Sequence, residues 1–216
     1  MKDDPLQAVV FDFDGVLVDT EPLHFQAFRH VLEPVGIRFD WAEYVRDYIG
    51  FDDREALQHA LTRHGIENAV ERMPALLRAK AQRFPELAER VELVPYPGVR
   101  PLLRALREED VPLALCSGAL ASDIAPILDR LDLAATFPVR VTADDLPVSK
   151  PDPAPYHLAL ERLAAARSRT VTPGRCVAIE DTPAGIASAA GAGMRILAVT
   201  TTHPATELRD ADVAVD

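Results

Sequence analysis

Short apolar runs of strand length recur along most of the chain, separated by stretches in which apolar residues keep helical spacing. Strands buried in a parallel sheet form near-continuous apolar runs, whereas amphipathic helices repeat apolar residues three or four positions apart. The pattern therefore predicts six strands, at residues 8–11, 111–116, 137–141, 175–179, 196–199 and 213–215.

Residues 20–90 differ from the rest because helical spacing dominates there. Three apolar stripes, the first ending at Gly36, the second before Gly65 and the third running from Val70 to Leu87, predict three helices. Beyond residue 90, predicted helices alternate with the strands. This order predicts an α/β fold, a doubly wound, Rossmann-like parallel sheet core with an inserted helical cap domain. We place the core at residues 1–18 and 91–216 and the cap at residues 19–90.

Composition narrows the class of function. The chain has 216 residues, is 48% hydrophobic and carries a net charge of -11, so it can bury a sizeable core and offers no basic footprint for nucleic acid. No apolar run approaches the about 20 residues that span a bilayer, and residues 1–5 lack the features of a signal peptide. We expect a cytoplasmic monomer, with a dimer as the alternative. Cys116 and Cys176 border apolar runs and are expected to be buried, reduced thiols.

Two carboxylates follow the first predicted strand. Asp12 and Asp14 stand one residue apart, and Gly15 then lets the backbone turn away. In open parallel sheets, ligands bind in the crevice outside the carboxyl ends of the strands, so this position favours a functional site. The alternative is a plain turn that ends a strand, since Asp and Gly favour turns.

Polar residues also follow the next two strands. Ser117 and Gly118 offer a hydroxyl and a flexible backbone whose amides can face an anion, although Ser-Gly is also a common loop start. Lys150 stands before a proline in a chain with 20 arginines among its 23 basic residues, whose other lysines are Lys2 and Lys80. This choice indicates a need for a compact ammonium charge. A solvated loop lysine is the alternative.

A second acid pair ends the fourth predicted strand. Glu180 and Asp181 precede Thr182, a candidate N-cap, and Pro183, a candidate first residue of a helix. Two acids at this place could simply favour the helix dipole. They are also the hard oxygen ligands that Mg²⁺ prefers.

With these motifs in this order, the chain resembles the haloacid dehalogenase superfamily of phosphatases and phosphomutases. The resemblance covers nearly the whole chain, and the subgroup it is most similar to contains beta-phosphoglucomutases, phosphoglycolate phosphatases and small sugar-phosphate phosphatases. The motifs that carry it are Asp12–Glu21, Ser117–Gly118, Lys150–Asp152 and Ile179–Ile186.

The resemblance implies a Mg²⁺-dependent phosphatase that hydrolyses a small phosphorylated metabolite. Asp12 would attack phosphorus and form an aspartyl-phosphate. Asp14 would protonate the leaving oxygen and then activate water. Mg²⁺ would be held by Asp12, the backbone carbonyl of Asp14 and Asp181, with Glu180 bound directly or through water.

Phosphate contacts are implied as well. Ser117, the backbone amides beside it and Lys150 would bind the phosphoryl oxygens, and Lys150 would orient Asp12. The resemblance further implies substrate contacts from five residues: Gly15, Gly118, His24, Arg54 and Lys80. Arg54 lies one residue later after the preceding glycine than in the mutase pattern, and for His24 and Arg54 a surface or hinge role is the alternative.

Two other functions fit parts of the pattern. A beta-phosphoglucomutase-like sugar phosphomutase would need cap groups for a second phosphate, which Lys80 and Arg54 could supply, but the acids Asp52 and Asp53 weaken such a site. A phosphoacceptor receiver module would also gather acids, a hydroxyl and a lysine at strand ends. It would not need a helical lid or a second acid to activate water.

Overall fold

The computed structural model describes residues 5–216, so Met1–Asp4, which belong to the segment examined for a signal peptide, lie outside the described residues. Six strands form one all-parallel sheet in the order β3-β2-β1-β4-β5-β6. The predicted doubly wound α/β fold is confirmed. The strands are β1 (Ala8–Phe11), β2 (Leu113–Cys116), β3 (Val139–Val141), β4 (Cys176–Glu180), β5 (Arg195–Val199) and β6 (Val213–Val215).

Eight α-helices accompany the sheet in the described part of the chain: α1 (Glu21–Leu32), α2 (Trp41–Asp47), α3 (Asp53–Arg63), α4 (Ala69–Ala88), α5 (Val99–Glu108), α6 (Ala121–Arg130), α7 (Ala154–Arg167) and α8 (Pro183–Gly191). Short 3-10 helices occur at Glu33–Val35, Ala134–Thr136 and Pro173–Arg175. None of the helices in residues 5–216 is long and apolar enough to cross a membrane.

Both faces of the sheet are covered, which explains the apolar runs. Val9 and Phe11 pack into one hydrophobic cluster, while Ala8 and Val10 pack into a second cluster on the opposite face. Successive side chains of a strand point to opposite faces, so a strand buried on both sides needs apolar residues at every position. Cys116 and Cys176 lie in the second cluster as free, buried cysteines, as expected.

The helices α1–α4, which we call the cap helices, contain one element that the pattern did not predict. Helix α2 has only seven residues, too few to display a helical stripe. The side chain of Asp40 caps it by accepting a hydrogen bond from the backbone amide of Glu43 at 2.9 Å. Its buried Tyr44 joins the third hydrophobic cluster with Phe39 and Leu57.

The cap helices pack against the sheet as well as against one another. Phe84 and Leu87 of α4 belong to the same cluster as Phe11 of β1. On the other side, a Cβ atom added to Gly118 would lie 4.0 Å from the Cα atom of Asp52, just before α3. These contacts hold the cap helices over the carboxyl ends of the strands. The boundaries of the cap at residues 19 and 90 stay a prediction.

Candidate active site

The carboxyl ends of three neighbouring strands form the floor of the site. β1 lies between β2 and β4, and the chain extends the sheet outward from β1 in both directions. Asp12 follows β1, Ser117 follows β2 and Glu180 ends β4. The order of strands reverses at this point, which is where open α/β sheets bind ligands.

Lys150 joins all three of these strand ends. Its Nζ donates to Asp12 Oδ1 and to Glu180 Oε1, both at 2.6 Å, and to the backbone carbonyl of Cys116 at 2.9 Å. The ammonium also lies 5.3 Å from the ring centre of Tyr156. An ammonium with three donors is thus fully used, in agreement with the preference for lysine over arginine at this position.

Glu180 is held from every side by the protein. Its Oε1 accepts from Tyr156 Oη at 2.7 Å as well as from Lys150, and its Oε2 accepts from the backbone amide of Asp181 at 3.2 Å. Gly185 leaves room for this carboxylate, since an added Cβ would lie 2.0 Å from Glu180 Oε2. Thr182 caps α8 as predicted, accepting from the Gly185 amide at 3.0 Å.

Asp181 is different because one of its oxygens has no partner. Asp181 Oδ2 accepts from Thr202 Oγ1 at 2.7 Å, whereas Oδ1 is buried without a hydrogen bond from the described residues. Gly15, with a φ of +73°, passes so close that a Cβ there would lie 1.9 Å from Asp181 Oδ2. A buried carboxylate oxygen without a donor is costly unless a cation or another ligand meets it.

The acid cluster fits a hard cation such as Mg²⁺. Oxygen atoms of Asp12, Glu180 and Asp181 lie within 4.8 Å of one another, and all three residues are buried. Since both oxygens of Glu180 are already hydrogen-bonded, Asp12 and Asp181 are the better candidates for direct ligands and Glu180 for a ligand through water. The expected role of the Asp14 backbone carbonyl stays a prediction.

Electrostatics within the cluster follow from burial and crowding. Burial raises the pKa of Asp12 well above its ordinary value, and Glu180 and Asp14 add to the rise while Lys150 opposes it. Burial, Asp12 and Glu180 likewise raise the pKa of Asp181. For Lys150, burial opposes the charge, but Asp12 and Glu180 outweigh it and raise the pKa. Positive charge from a ligand would relieve the repulsion between these acids.

Asp14 lies in a separate set of contacts. Thr20 Oγ1 donates to Asp14 Oδ1, and Ser117 Oγ donates to Oδ2 at 3.3 Å. His24 Nε2 lies 3.3 Å from Asp14 Oδ1. Burial acts to raise the pKa of Asp14, but His24 and Thr20 outweigh burial and lower the pKa. The residue therefore favours the carboxylate form in this arrangement.

A second buried lysine lies among the cap helices. Lys80 Nζ is 2.7 Å from Asp53 Oδ1 and 3.3 Å from Asp123 Oδ2, and 3.0 Å from His24 Nδ1. Asp123 belongs to α6 of the core, whereas Lys80, Asp53 and His24 belong to cap helices. The Lys80 cluster, as we call these four residues, therefore links the cap helices to the core.

A small cavity separates the cap helices from the strand ends. Its floor is formed by Asp12, Asp14, Gly118, Lys150 and Asp181. Its volume is about 50 Å³, space for a few water molecules and well below the roughly 300–1,000 Å³ of typical ligand pockets. Substrate access therefore requires the cap helices to move away from the strand ends.

The structure brings some predicted substrate contacts to this cavity and not others. Gly118 and His24 line it, while Gly15 lies beneath Asp181. Lys80 has no exposed surface, and Arg54 lines a separate groove, where its Nη1 donates to the carbonyl of Pro147 at 3.4 Å. In this arrangement α3 turns Arg54 outward and acids enclose Lys80, and a substrate contact by either residue stays a prediction.

Several residues of the site were not identified from the sequence. Thr20 stands at the N-cap of α1, but its hydroxyl bonds Asp14 instead of the helix. Tyr156 is fully buried on α7, where its hydroxyl needs a partner, and Glu180 supplies it. Glu21 and Tyr48 also line the cavity. Glu21 and Tyr48 are far apart along the chain, and only the packing of the cap helices brings them to the same cavity.

Comparison with known proteins places this geometry in context. The sequence profile of the family described as haloacid dehalogenase-like hydrolase matches residues 9–199. The chain is 35% identical over 190 residues to a phosphorylated carbohydrates phosphatase of Thermotoga maritima, covering 88% of this chain and 82% of the relative. It is 34% identical over 195 residues to a beta-phosphoglucomutase of Bacillus subtilis, covering 88% and 81%.

A solved structure shares the fold over nearly the whole length. The crystal structure of CbbY from Rhodobacter sphaeroides in complex with phosphate superposes with a TM-score of 0.83 at 26% identity, covering 98% of this chain and 94% of that chain. Sequence and fold therefore point to the same group of proteins.

Proposed function

The chain belongs to the haloacid dehalogenase-like hydrolase family and is a hydrolase of phosphoric monoesters, and we propose that it uses Mg²⁺ and an aspartyl-phosphate intermediate to release phosphate from a small sugar phosphate or phosphoglycolate-type metabolite. The observation that carries the proposal is the group formed by Asp12, Lys150 and Asp181, three buried ionisable residues that meet at the strand ends and line one cavity. The family assignment favours this function over a phosphoacceptor receiver module.

Asp12 is the proposed nucleophile. A carboxylate oxygen of Asp12 attacks phosphorus, the bond from phosphorus to the ester oxygen breaks, and the alcohol leaves with a proton from Asp14. Water then attacks the aspartyl-phosphate, gives a proton back to Asp14 and releases phosphate and the free Asp12 carboxylate. Lys150 holds Asp12 Oδ1 at 2.6 Å, which fixes the direction of attack.

Asp14 is the proposed acid and base. Its lowered pKa, which His24 and Thr20 cause against the effect of burial, keeps it in the carboxylate form, the form that must accept a proton from water in the second step. A phosphate dianion that enters the cavity beside Asp14 disfavours the charged form of this residue. Substrate binding is therefore expected to favour the protonated form that the first step requires.

Phosphoryl oxygens would be met by donors from two strand ends. Lys150 and Gly118 line the cavity, and the hydroxyl of Ser117 lies 3.3 Å from Asp14 Oδ2. When bound by Asp12 and Asp181, Mg²⁺ would supply positive charge that offsets repulsion between the acids and the phosphate. We propose that residues 19–90 act as the cap that closes over these groups and excludes water.

The test is phosphate release from a panel of sugar phosphates, phosphoglycolate and nucleotides, with and without Mg²⁺. We expect turnover with Mg²⁺ and its loss in excess EDTA, restored by added Mg²⁺. Acid quench during turnover should trap phosphate on the peptide that contains Asp12. Full turnover in excess EDTA would contradict the proposed metal dependence, and phosphate trapped on another peptide would contradict the proposed nucleophile.

A phosphomutase is the second candidate, favoured by the 34% identity to a beta-phosphoglucomutase. A mutase must bind a second phosphate of its intermediate, whereas neither Lys80 nor Arg54 lines the cavity. Incubation with beta-glucose 1-phosphate, Mg²⁺ and a trace of the bisphosphate separates the two functions. Glucose 6-phosphate that forms much faster than free phosphate would establish the mutase.

A further inference from the structure

We propose that the substrate's leaving group is a polyhydroxylated moiety without a second anionic group, and that a leaving group carrying an amine is preferred over one carrying a carboxylate or a second phosphate. The inference rests on the proposed phosphatase function, because it concerns the part of the same cavity that faces away from the catalytic acids.

The cap side of the cavity is acidic and aromatic. This wall is lined by Glu21, His24 and Phe28 of α1, Tyr44 of α2, Tyr48 just after α2, and Asp53 of α3. No lysine or arginine of the described cap helices lines this wall. A leaving group in this space therefore meets two carboxylates, and the single basic group, His24, already contacts Asp14.

Glu21 is the less compensated of the two acids. Its Oε2 accepts a hydrogen bond from Tyr44 Oη at 2.6 Å, and no lysine or arginine among residues 5–216 forms a salt bridge with it. A neutral donor satisfies one oxygen but leaves the charge in place. The cation that offsets this charge is His24, which it shares with Asp14, so an anionic group on the substrate would be placed beside an excess of negative charge.

Asp53 presents an unused acceptor. Its Oδ1 pairs with Lys80 at 2.7 Å, but Oδ2 is buried without a hydrogen bond from the described residues. Asp53 lines the cavity and its side chain is only 10% exposed, so a donor group on the leaving group is the partner we infer for this oxygen. Hydroxyl and ammonium groups can donate to it, whereas a carboxylate or a phosphate dianion cannot.

Tyr48 adds a second unused group to the same wall. It is 2% exposed, lines the cavity and has a buried hydroxyl without a partner in the described chain. Phe28 and Tyr44 provide apolar surface beside it. Alternating ring faces and unpaired polar atoms suit the carbon faces and hydroxyl groups of a sugar or cyclitol.

Two basic residues of the cap helices, Lys80 and Arg54, could favour an anionic leaving group, but neither lines the cavity. Lys80 is enclosed by Asp53 and Asp123, and Arg54 lies on the separate groove near Pro147. Wrong substrates would then be disfavoured by the excess of negative charge in this wall, where Lys80 is shared by Asp53 and Asp123 and His24 by Asp14 and Glu21.

The experiment compares matched six-carbon esters: glucosamine 6-phosphate, glucose 6-phosphate and 6-phosphogluconate, with fructose 1,6-bisphosphate as the dianionic case. Phosphate release is measured at about pH 7 with Mg²⁺, well above the ordinary glutamate pKa and low enough for most of the amino sugar to carry an ammonium. We expect kcat/KM to be highest for the amine, lower for the neutral sugar and lower by at least about tenfold for the two substrates with a second anionic group. The reverse order would overturn the inference.

Two variants test whether this substrate preference comes from the cap side of the cavity. Glu21→Gln keeps the acceptor for Tyr44 and removes the charge, so the ratio of kcat/KM for glucosamine 6-phosphate to that for 6-phosphogluconate should fall about five- to tenfold. Glu43→Gln, which removes an acid of α2 outside the cavity, should leave that ratio unchanged. Equal ratios in wild type and Glu21→Gln would overturn the inference.

p-Nitrophenyl phosphate distinguishes the two ways of failing. If the enzyme hydrolyses this ester but prefers 6-phosphogluconate or the bisphosphate, the phosphatase proposal stands and the inference about the leaving group is wrong. If no ester in the set releases phosphate, both are wrong.

Discussion

Two buried lysines, Lys150 in the core and Lys80 in the cap, have nearly the same chemical surroundings and different positions. Each ammonium lies within 3.3 Å of two carboxylates, Asp12 and Glu180 for Lys150 and Asp53 and Asp123 for Lys80. Each also lies near an aromatic ring. The groups that contact each ammonium are therefore not enough to tell a lysine of the active site from a lysine with a structural role.

The difference lies in what else each cluster faces. Lys150 lines the cavity beside Asp181, whose unpaired oxygen gives the site an unused ligand atom. Lys80 has no exposed surface, and its partners come from both the cap helices and the core. One cluster thus serves the proposed chemistry, and the other fixes the position of the wall above it.

The largest expected effect comes from Asp12→Asn. An amide is a poor nucleophile, so turnover should fall by at least about 10⁴-fold. Folding should survive because Lys150 keeps its bond to Glu180. Phosphate release and thermal unfolding measure the two effects. Retention of most activity would show that Asp12 is not the nucleophile.

The next effect tests whether the two lysines differ in function. Lys150→Arg keeps the charge, but a planar guanidinium cannot occupy the space of an ammonium bound to Asp12, Glu180 and Cys116 O, so kcat should fall by about 10²-fold or more. Lys80→Arg is the matched control, with a smaller loss in kcat expected. Equal losses would contradict the division of roles.

For the Lys80 cluster we expect the main effect of a substitution to be on the stability of the fold rather than on kcat. Lys80→Met leaves Asp53 and Asp123 buried without their cation, which should lower the free energy of unfolding by about 3–5 kcal/mol. Urea unfolding measures this change. Adding Asp53→Asn and Asp123→Asn to Lys80→Met should restore much of the loss because the buried charges are gone. If Lys80→Met alone is as stable as wild type, the Lys80 cluster does not link the cap helices to the core.

The sequence was informative where local order determines position. Asp12, Ser117 and Glu180 could be placed together because each follows or ends a predicted strand, and parallel strands bring their carboxyl ends to one edge. Lys150 could be added because the chain otherwise prefers arginine. The floor of the site is thus a consequence of chain topology. The catalytic roles assigned to these residues stay predictions.

The wall of the cavity could not be predicted in the same way. Tyr48 follows a seven-residue helix without a periodic signal, and Glu21 opens a different helix. They meet only because the cap helices pack on one another, which depends on side-chain fit rather than on spacing along the chain. The same packing turns Arg54 away from the cavity and Asp53 toward it, a one-residue difference along α3 that spacing alone does not decide.

The smallest expected effect concerns Tyr156, which supports the Lys150 cluster from behind. Its hydroxyl donates to Glu180 Oε1 at 2.7 Å, the same oxygen that binds Lys150. Tyr156→Phe keeps the ring beneath the ammonium and removes this bond, which should cost about 1–2 kcal/mol in the free energy of unfolding. The loss in kcat should be about two- to tenfold, because Glu180 keeps Lys150 but holds it less firmly. Urea unfolding and steady-state phosphate release give the two values. If Tyr156→Phe lowers stability but leaves kcat unchanged, the carboxylate that the hydroxyl of Tyr156 supports does not position the site, and the contrast between the two lysines must be drawn elsewhere.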